Sequence, residues 1–281
     1  MHLPLPIPES LLLLAAWVLV PLGLGRMPPG PADAKLRRLV RHGWLPGAAG
    51  ATAGILLPVG LPAGGLAALW IVPTGLLALA SLLRLRHHLR RGSLTLPAAL
   101  RGVAGLQIPV GAAWLVASRA GLQPMGFVEP IVILTAIHFH FTGFVAPVLM
   151  ADALEHQALG RPARVGALLV VAGTPALAAG FVLSPALQVG AALGISVGLS
   201  AVAASSLARL RRGPRPALLA LSWLCVLGGM GLAATYALGE FTGRWWLNMA
   251  DMAWTHGLLN GLGFALPGLL AWRGHHHRGD P

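Results

Sequence analysis

Clusters of arginine divide this chain into long apolar runs, and they recur only at every second break. Arg26, Lys35, Arg37, Arg38 and Arg41 form the first cluster, and Arg84, Arg86, Arg90 and Arg91 the second. Arg161 and Arg164, then Arg209, Arg211, Arg212 and Arg215, then Arg273 and Arg278 follow. The intervening breaks hold only Arg119 and Arg244, and Arg101 sits within an apolar run near its basic end. Runs of roughly 17–25 apolar residues are long enough to cross a bilayer core as helices. Only helices and closed barrels satisfy their backbone in lipid. Strand-period alternation is absent, which excludes an outer-membrane barrel. The expectation is an all-α membrane protein with about nine transmembrane helices, near 9–25, 43–60, 62–83, 94–118, 126–150, 165–183, 185–207, 216–239 and 251–272.

The same alternation settles what the charge means. A net charge of +12 suggests nucleic acid, but only 10% of the residues are charged, against roughly 25% in a soluble domain. The basic residues collect on one side, which predicts an outside N-terminus and a cytoplasmic C-terminus. Their partner is then the lipid bilayer and its anionic headgroups, not nucleic acid. The first run follows Pro4, Pro6 and Pro8 without a positive n-region or a small-residue cleavage site, so it reads as a retained anchor. The Pro- and Gly-rich 26–34 stretch reads as a linker, 35–42 as an interfacial basic turn, and His275-His276-His277 as part of a solvated tail. Cys225, the single cysteine, excludes an intramolecular disulfide. No Walker A sequence, nucleophile elbow or Rossmann fingerprint marks the chain as an enzyme of those classes.

The chain also repeats itself. Gly143-Phe144-Val145-Ala146-Pro147-Val148-Leu149-Met150-Ala151 returns as Gly263-Phe264-Ala265-Leu266-Pro267-Gly268-Leu269-Leu270-Ala271, with Phe144 and Phe264 120 residues apart. Leu89-Arg90-Arg91-Gly92 returns as Leu210-Arg211-Arg212-Gly213, and Pro62-Ala63 has a looser echo in Pro185-Ala186. Duplication of a four-helix unit follows, and an even helix number makes the copies parallel. The units are an N-terminal helix and basic linker at 1–42, a first repeat at 43–151, a second at 160–272 and a tail at 273–281. Spans five and nine become equivalents.

Ionisable groups inside hydrocarbon cost about 2.5–3.5 kcal/mol at a helix centre, and few occur here. Span five has Glu129 near its outer end and His138 and His140 near its middle; span nine has Asp251, then His256 and Asn260. At ~100° per residue, His138 and His140 lie ~200° apart, whereas Glu129 and His140 agree to within ~20°. His256 and Asn260, at i and i+4, share a face. The expected constellation is Glu129, His140, His256 and Asn260 in a cleft between spans five and nine, with Asp251 at the mouth. His138 is expected to be held by Thr135, Thr142 or a neighbouring helix. Gly143, Gly257, Gly261 and Gly263 would allow close approach, and Pro147 and Pro267 would kink the helices. Elsewhere Glu155 is expected to pair with Arg161 or Arg164, and Glu240 with Arg244.

Three roles compete for these histidines: hydrogen-bonded packing, a proton-linked transport or sensing site, and a metal or haem site in which His138, His140 and His256 are ligands. The stretches 138–147 (His138-Phe139-His140-Phe141-Thr142-Gly143) and 255–264 (Thr255-His256-Gly257 through Asn260-Gly261) resemble the YndJ-like family of bacterial membrane proteins, most clearly over 125–272. The resemblance implies a multi-pass protein of the bacterial plasma membrane, of a kind labelled transporter. It carries over His138, His140, His256 and Asn260 and specifies no substrate. The leading expectation is a carrier for a small solute or ion, with proton coupling as one mode. Glu129, His138, His140, Asp251, His256 and Asn260 would bind the substrate. The alternative is a redox or sensor protein with haem or a transition metal as cofactor.

Overall fold

The computed structural model describes residues 7–27, 30 and 33–274, apart from the side chain of Arg212. The starting Pro4 and Pro6, residues 28, 29, 31 and 32 of the 26–34 linker and the His275–His277 tail lie outside the described residues. Nine helices run back and forth among the described residues: α1 Ile7–Leu24, α2 Ala34–Leu56, α3 Leu61–Arg90, α4 Leu96–Ala120, α5 Ile131–His156, α6 Arg161–Leu183, α7 Pro185–Leu207, α8 Pro216–Thr242 and α9 at 249–272. The all-α fold is thus as expected, and no strand occurs among these residues.

Seven of the helices are long and apolar enough to cross a membrane. The other two, α2 and α9, are more polar, α2 through Arg37, Arg38, Arg41 and its glycines and α9 through Asp251, His256 and Asn260. A count of nine spans therefore rests on those two. Large apolar side chains such as Leu168, Val197 and Leu224 face outward, as lipid-facing positions must when lipid replaces water as the solvent.

The ends of the helices follow from local chemistry. Thr95 Oγ1 accepts from Ala98 N to start α4, and Asn248 Oδ1 accepts from Asp251 N at 2.8 Å to start α9. Gly121 (φ 72°) and Gly243 (φ 69°) take the left-handed conformation that closes α4 and α8. Arginines cap several C-terminal carbonyls. Arg37 donates to Leu24 O of α1, Arg119 to Gly54 O and Leu57 O at the end of α2, and Arg26 to Trp272 O of α9. Arg215 reaches Leu270 O and Arg273 O in the same way. Cations at these ends also complement the helix dipole.

The prolines expected to kink α5 and α9 do something more specific. Ala146, just before Pro147, donates its N–H to Phe141 O, five residues back, and Leu266, just before Pro267, donates to Gly261 O. Val20, before Pro21 in α1, donates to Ala15 O in the same register. A proline lacks an N–H and its ring collides with the carbonyl four residues back. A widened π turn relieves that collision without breaking the helix. The turns of α5 and α9 touch one another, and α1 packs against both helices. Leu11 of α1 lies against Gly257 and Gly261, where an added Cβ would come within 3.0 and 2.7 Å of it, and Phe144 fills the space beside Gly23. The first helix, expected as an extra anchor, is the wedge between α5 and α9.

Candidate functional site

His138 and His140 point in opposite directions, as their spacing requires. Their partners differ from the expected ones. His140 is almost fully buried; its Nδ1–H donates to Ala136 O at 2.8 Å and its Nε2 accepts from the Trp70 indole N–H at 3.0 Å. Trp70 lies nearly parallel to the ring, and Trp44 meets Trp70 edge-on with centroids 4.6 Å apart. On the other side Gly111 leaves room, since a Cβ there would sit 2.7 Å from His140 Nδ1. Both nitrogens of a neutral imidazole are used, so His140 faces α3 and α4 rather than α9.

His138 faces the other way, into a cavity of about 500 Å³ bounded by α5, α6, α7, α8 and α9. His256 enters the same cavity from α9. Its Nδ1–H donates to Gly229 O at 2.8 Å, which fixes the ring and leaves Nε2 as the open nitrogen. His138 Nε2 is buried without a hydrogen-bond partner. Thr135, expected to hold His138, instead bonds back to Ile131 O. Thr142 and Ser196 add hydroxyls to the polar part of the wall. Toward the end opposite the arginine clusters the cavity is bounded by Gln188, Tyr236 and Glu240, and Gln188 donates to Glu240 Oε2 at 3.2 Å. Both histidines lie about 10 Å inside the starts of their helices at 1.5 Å per residue. The rest of the wall is apolar, including Leu177, Ile195 and Met230.

The other predicted residues have local duties. Glu129 Oε2 accepts from Ile133 N at 3.2 Å at the start of α5. Asp251 accepts from Asn248 Nδ2 at 2.7 Å at the start of α9. The two acids serve the N-terminal ends of α5 and α9, where a carboxylate complements orphan N–H groups and the dipole. Asn260, inside the π turn, donates to His256 O at 2.8 Å and packs against Gly229. The expected grouping of Glu129, His140, His256 and Asn260 is therefore replaced by His138 and His256. Face periodicity separates the histidines of α5 correctly, but it does not say which neighbour covers each face.

A second polar cluster lies at the basic end. Asp152, fully buried, accepts from Arg26 Nε at 2.8 Å and from Arg101 Nη2 at 2.6 Å. Arg101 also reaches Glu155 at 2.5 Å, so Glu155 pairs with Arg101 of α4 instead of Arg161 or Arg164. Asp33 pairs with Arg84 nearby. Asp152, Glu155 and His156 offer ligand atoms within 4.8 Å of one another, a grouping that could suit a cation. Both carboxylates, however, already neutralise Arg26 and Arg101. The sequence signal for this cluster was present: Arg101 and Asp152 are opposite charges at the same end of neighbouring apolar runs, and such charges pair. The cavity's Gln188, Tyr236, Ser196 and Glu240 carried no such signal. Glu240 bonds to Gln188, and no ion pair joins it to Arg244 among the described residues.

The sequence profile of the family described as YndJ-like protein matches residues 10–264. The chain belongs to the YndJ-like family. The match reaches well upstream of 125–272, where the resemblance is clearest by eye, and it takes in α1 and both cavity histidines. Among curated proteins the chain is similar to the "Uncharacterized membrane protein YndJ" of Bacillus subtilis (strain 168), with 29% identity over 225 residues. The similarity covers 75% of this chain and 38% of that relative, so the chain spans well under half of the relative's length. No solved structure matches. Family membership and the apolar helices together make this a multi-pass membrane protein of the YndJ-like family.

Proposed function

We propose that this YndJ-like protein is a carrier for a small solute or ion, with His138 and His256 as its binding groups and proton coupling as one mode of action. The observation that carries the reading is a pair of imidazoles, each with an open nitrogen, facing one cavity of about 500 Å³ within the helical bundle. Unsatisfied polar groups at that depth cost free energy, which a polar occupant recovers. The orientation in this reading places the arginine clusters in the bacterial cytoplasm and the Gln188–Glu240 end outside.

The carrier reading includes two parallel repeats. In its support, the π-turn bonds from Ala146 to Phe141 and from Leu266 to Gly261 are displaced by 120 residues. Gly47 and Gly54 of α2 recur as Gly166 and Gly173 of α6, and each abuts the next helix closely enough that a Cβ would fall within 2.7 Å of it. Such pseudo-symmetric halves commonly form a site where they meet. His138 belongs to the first copy and His256 to the second.

The test is flux into proteoliposomes for a panel of small cations, anions and polar organic solutes, with a trapped pH dye to report coupled protons. Any flux found should be abolished by His138→Ala and by His256→Ala; flux unchanged in both variants overturns the assignment. A second reading, a metal- or haem-binding redox or sensor protein, draws on the same open imidazole nitrogens, which are the usual metal-binding atoms of histidine. A visible spectrum and metal analysis of purified protein decide it. Stoichiometric metal or a Soret band lost in the two histidine variants supports it, and a colourless, metal-free preparation removes it.

A further inference from the structure

A smaller cavity of about 280 Å³ lies at the basic end between α1, α2 and α3, and neither His138 nor His256 lines it. One face of α2 forms its charged wall: Arg37, Arg41 and Trp44, at i, i+4 and i+7. Arg37 is only 8% exposed. Its Nη2 donates to Leu24 O at 3.1 Å, but its Nε and Nη1 are buried with no hydrogen-bond partner. The indole Nε1 of Trp44, also 8% exposed, is likewise buried without an acceptor. Three unsatisfied donors thus belong to two residues that line one cavity, and among the described residues no acidic side chain lines it. Asp33 attracts the Arg37 charge, but Asp33 is already paired with Arg84, and both Arg84 and Arg41 repel that charge. Buried donors and an uncompensated guanidinium each cost free energy, and an anion would relieve both.

The rest of the wall identifies the kind of anion. Pro21, Leu24, Leu45 and Leu77 are apolar, and Leu45 is 64% exposed on the outer surface of α2. Arg37 and Trp44 are separated by about 10 Å along the helix axis, so the cavity descends from the level of the basic clusters into the apolar zone. The nearby C-terminal end of α1 does not repel an anion strongly, because Leu24 O is already bonded by Arg37 and by Met27 N. We propose that this cavity binds the phosphate of an anionic phospholipid, with Arg37, Arg41 and Trp44 as donors and the Leu45 side of α2 bordering an acyl chain. A phosphodiester suits the guanidinium fork, and an attached chain suits the wall below it. The inference is independent of the carrier reading.

The experiment uses delipidated full-length protein in detergent, with thermal unfolding followed on addition of dioleoyl-phosphatidylglycerol, dioleoyl-phosphatidylcholine or inorganic phosphate. Phosphatidylglycerol should raise the unfolding temperature, with the other two giving much smaller shifts at equal concentration. Arg41→Gln should weaken phosphatidylglycerol binding about fivefold, in line with the attraction of one arginine for an anionic surface, and Arg37→Gln more than tenfold. Because Arg37 also caps α1, Arg41→Gln and Trp44→Phe provide the decisive comparison: both residues can be changed while the Arg37 cap stays. Unchanged phosphatidylglycerol binding in both of those variants overturns the proposal. Equal stabilisation by phosphatidylcholine overturns the anion requirement, and equal stabilisation by inorganic phosphate overturns the lipid assignment in favour of a free anion.

Discussion

The Asp152 cluster and the cavity histidines of this helical bundle handle buried polarity in opposite ways. At the basic end, Asp152 lies between Arg26 and Arg101, Glu155 completes the group, and arginines cap the carbonyls of α1 and α9. In the other half, His138 and His256 keep an open nitrogen beside a cavity. Saturated polar groups fix helices to one another, whereas open ones wait for a ligand. His140 shows the rule within a single helix. It lies two residues from His138, yet with Trp70 and Ala136 as partners it behaves like the basic cluster.

Substitutions should separate these two classes of residue. The largest loss is expected for Asp152→Asn, which leaves Arg26 and Arg101 buried without their shared counter-charge. Breaking a buried pair by removing one partner costs about 3–5 kcal/mol, which should appear as a much lower unfolding temperature or loss of folded protein in detergent. His140→Ala comes next, at about 2–4 kcal/mol, because it opens a void and strands the Trp70 N–H; chemical denaturation of the purified protein would measure it. Gly261→Ala should cost about 1–3 kcal/mol by forcing Leu11 away from the α1–α9 contact, and a compensating Leu11→Ala change should recover part of the loss. His138→Ala and His256→Ala are expected to cost about 1 kcal/mol or less, since the first breaks no hydrogen bond and the second breaks one. If His138→Ala were as damaging as His140→Ala, the division between saturated and open histidines would fail.

Much of the fold was legible because lipid makes the sequence speak plainly. Long apolar runs and alternating arginines mark the helices, and the nine expected segments are helical within a few residues at most boundaries; the main correction is 35–42, expected as an interfacial turn and found as the first two turns of α2. The offset of two between His138 and His140 correctly puts them on opposite faces. What could not be read was lateral order. Nothing in the periodicity of α5 says that α3 and α4 cover the His140 face, or that α1 wedges between α5 and α9. The π turns were also hidden, since the prolines announced a disturbance without specifying a widened turn. Asn260 falls inside one of them and turns its amide back onto His256 O, so the i, i+4 relation with His256 does not bring both side chains into the cavity. Glu129 and Asp251 looked like mouth acids because a carboxylate near a helix start reads equally well as a ligand and as a cap.

The account rests most directly on the contrast between His138 and His256, which open onto a cavity, and His140, which does not. Water-edited solid-state NMR of ¹⁵N-histidine-labelled protein in lipid measures that contrast at the rings themselves, with assignments from single His→Gln variants. The account predicts early water-transferred signal for the His138 and His256 side chains and none for His140, whose Nε2 should carry the signature of the Trp70 hydrogen bond. Hydration of His140 equal to that of the other two, or dry rings at both His138 and His256, would contradict it.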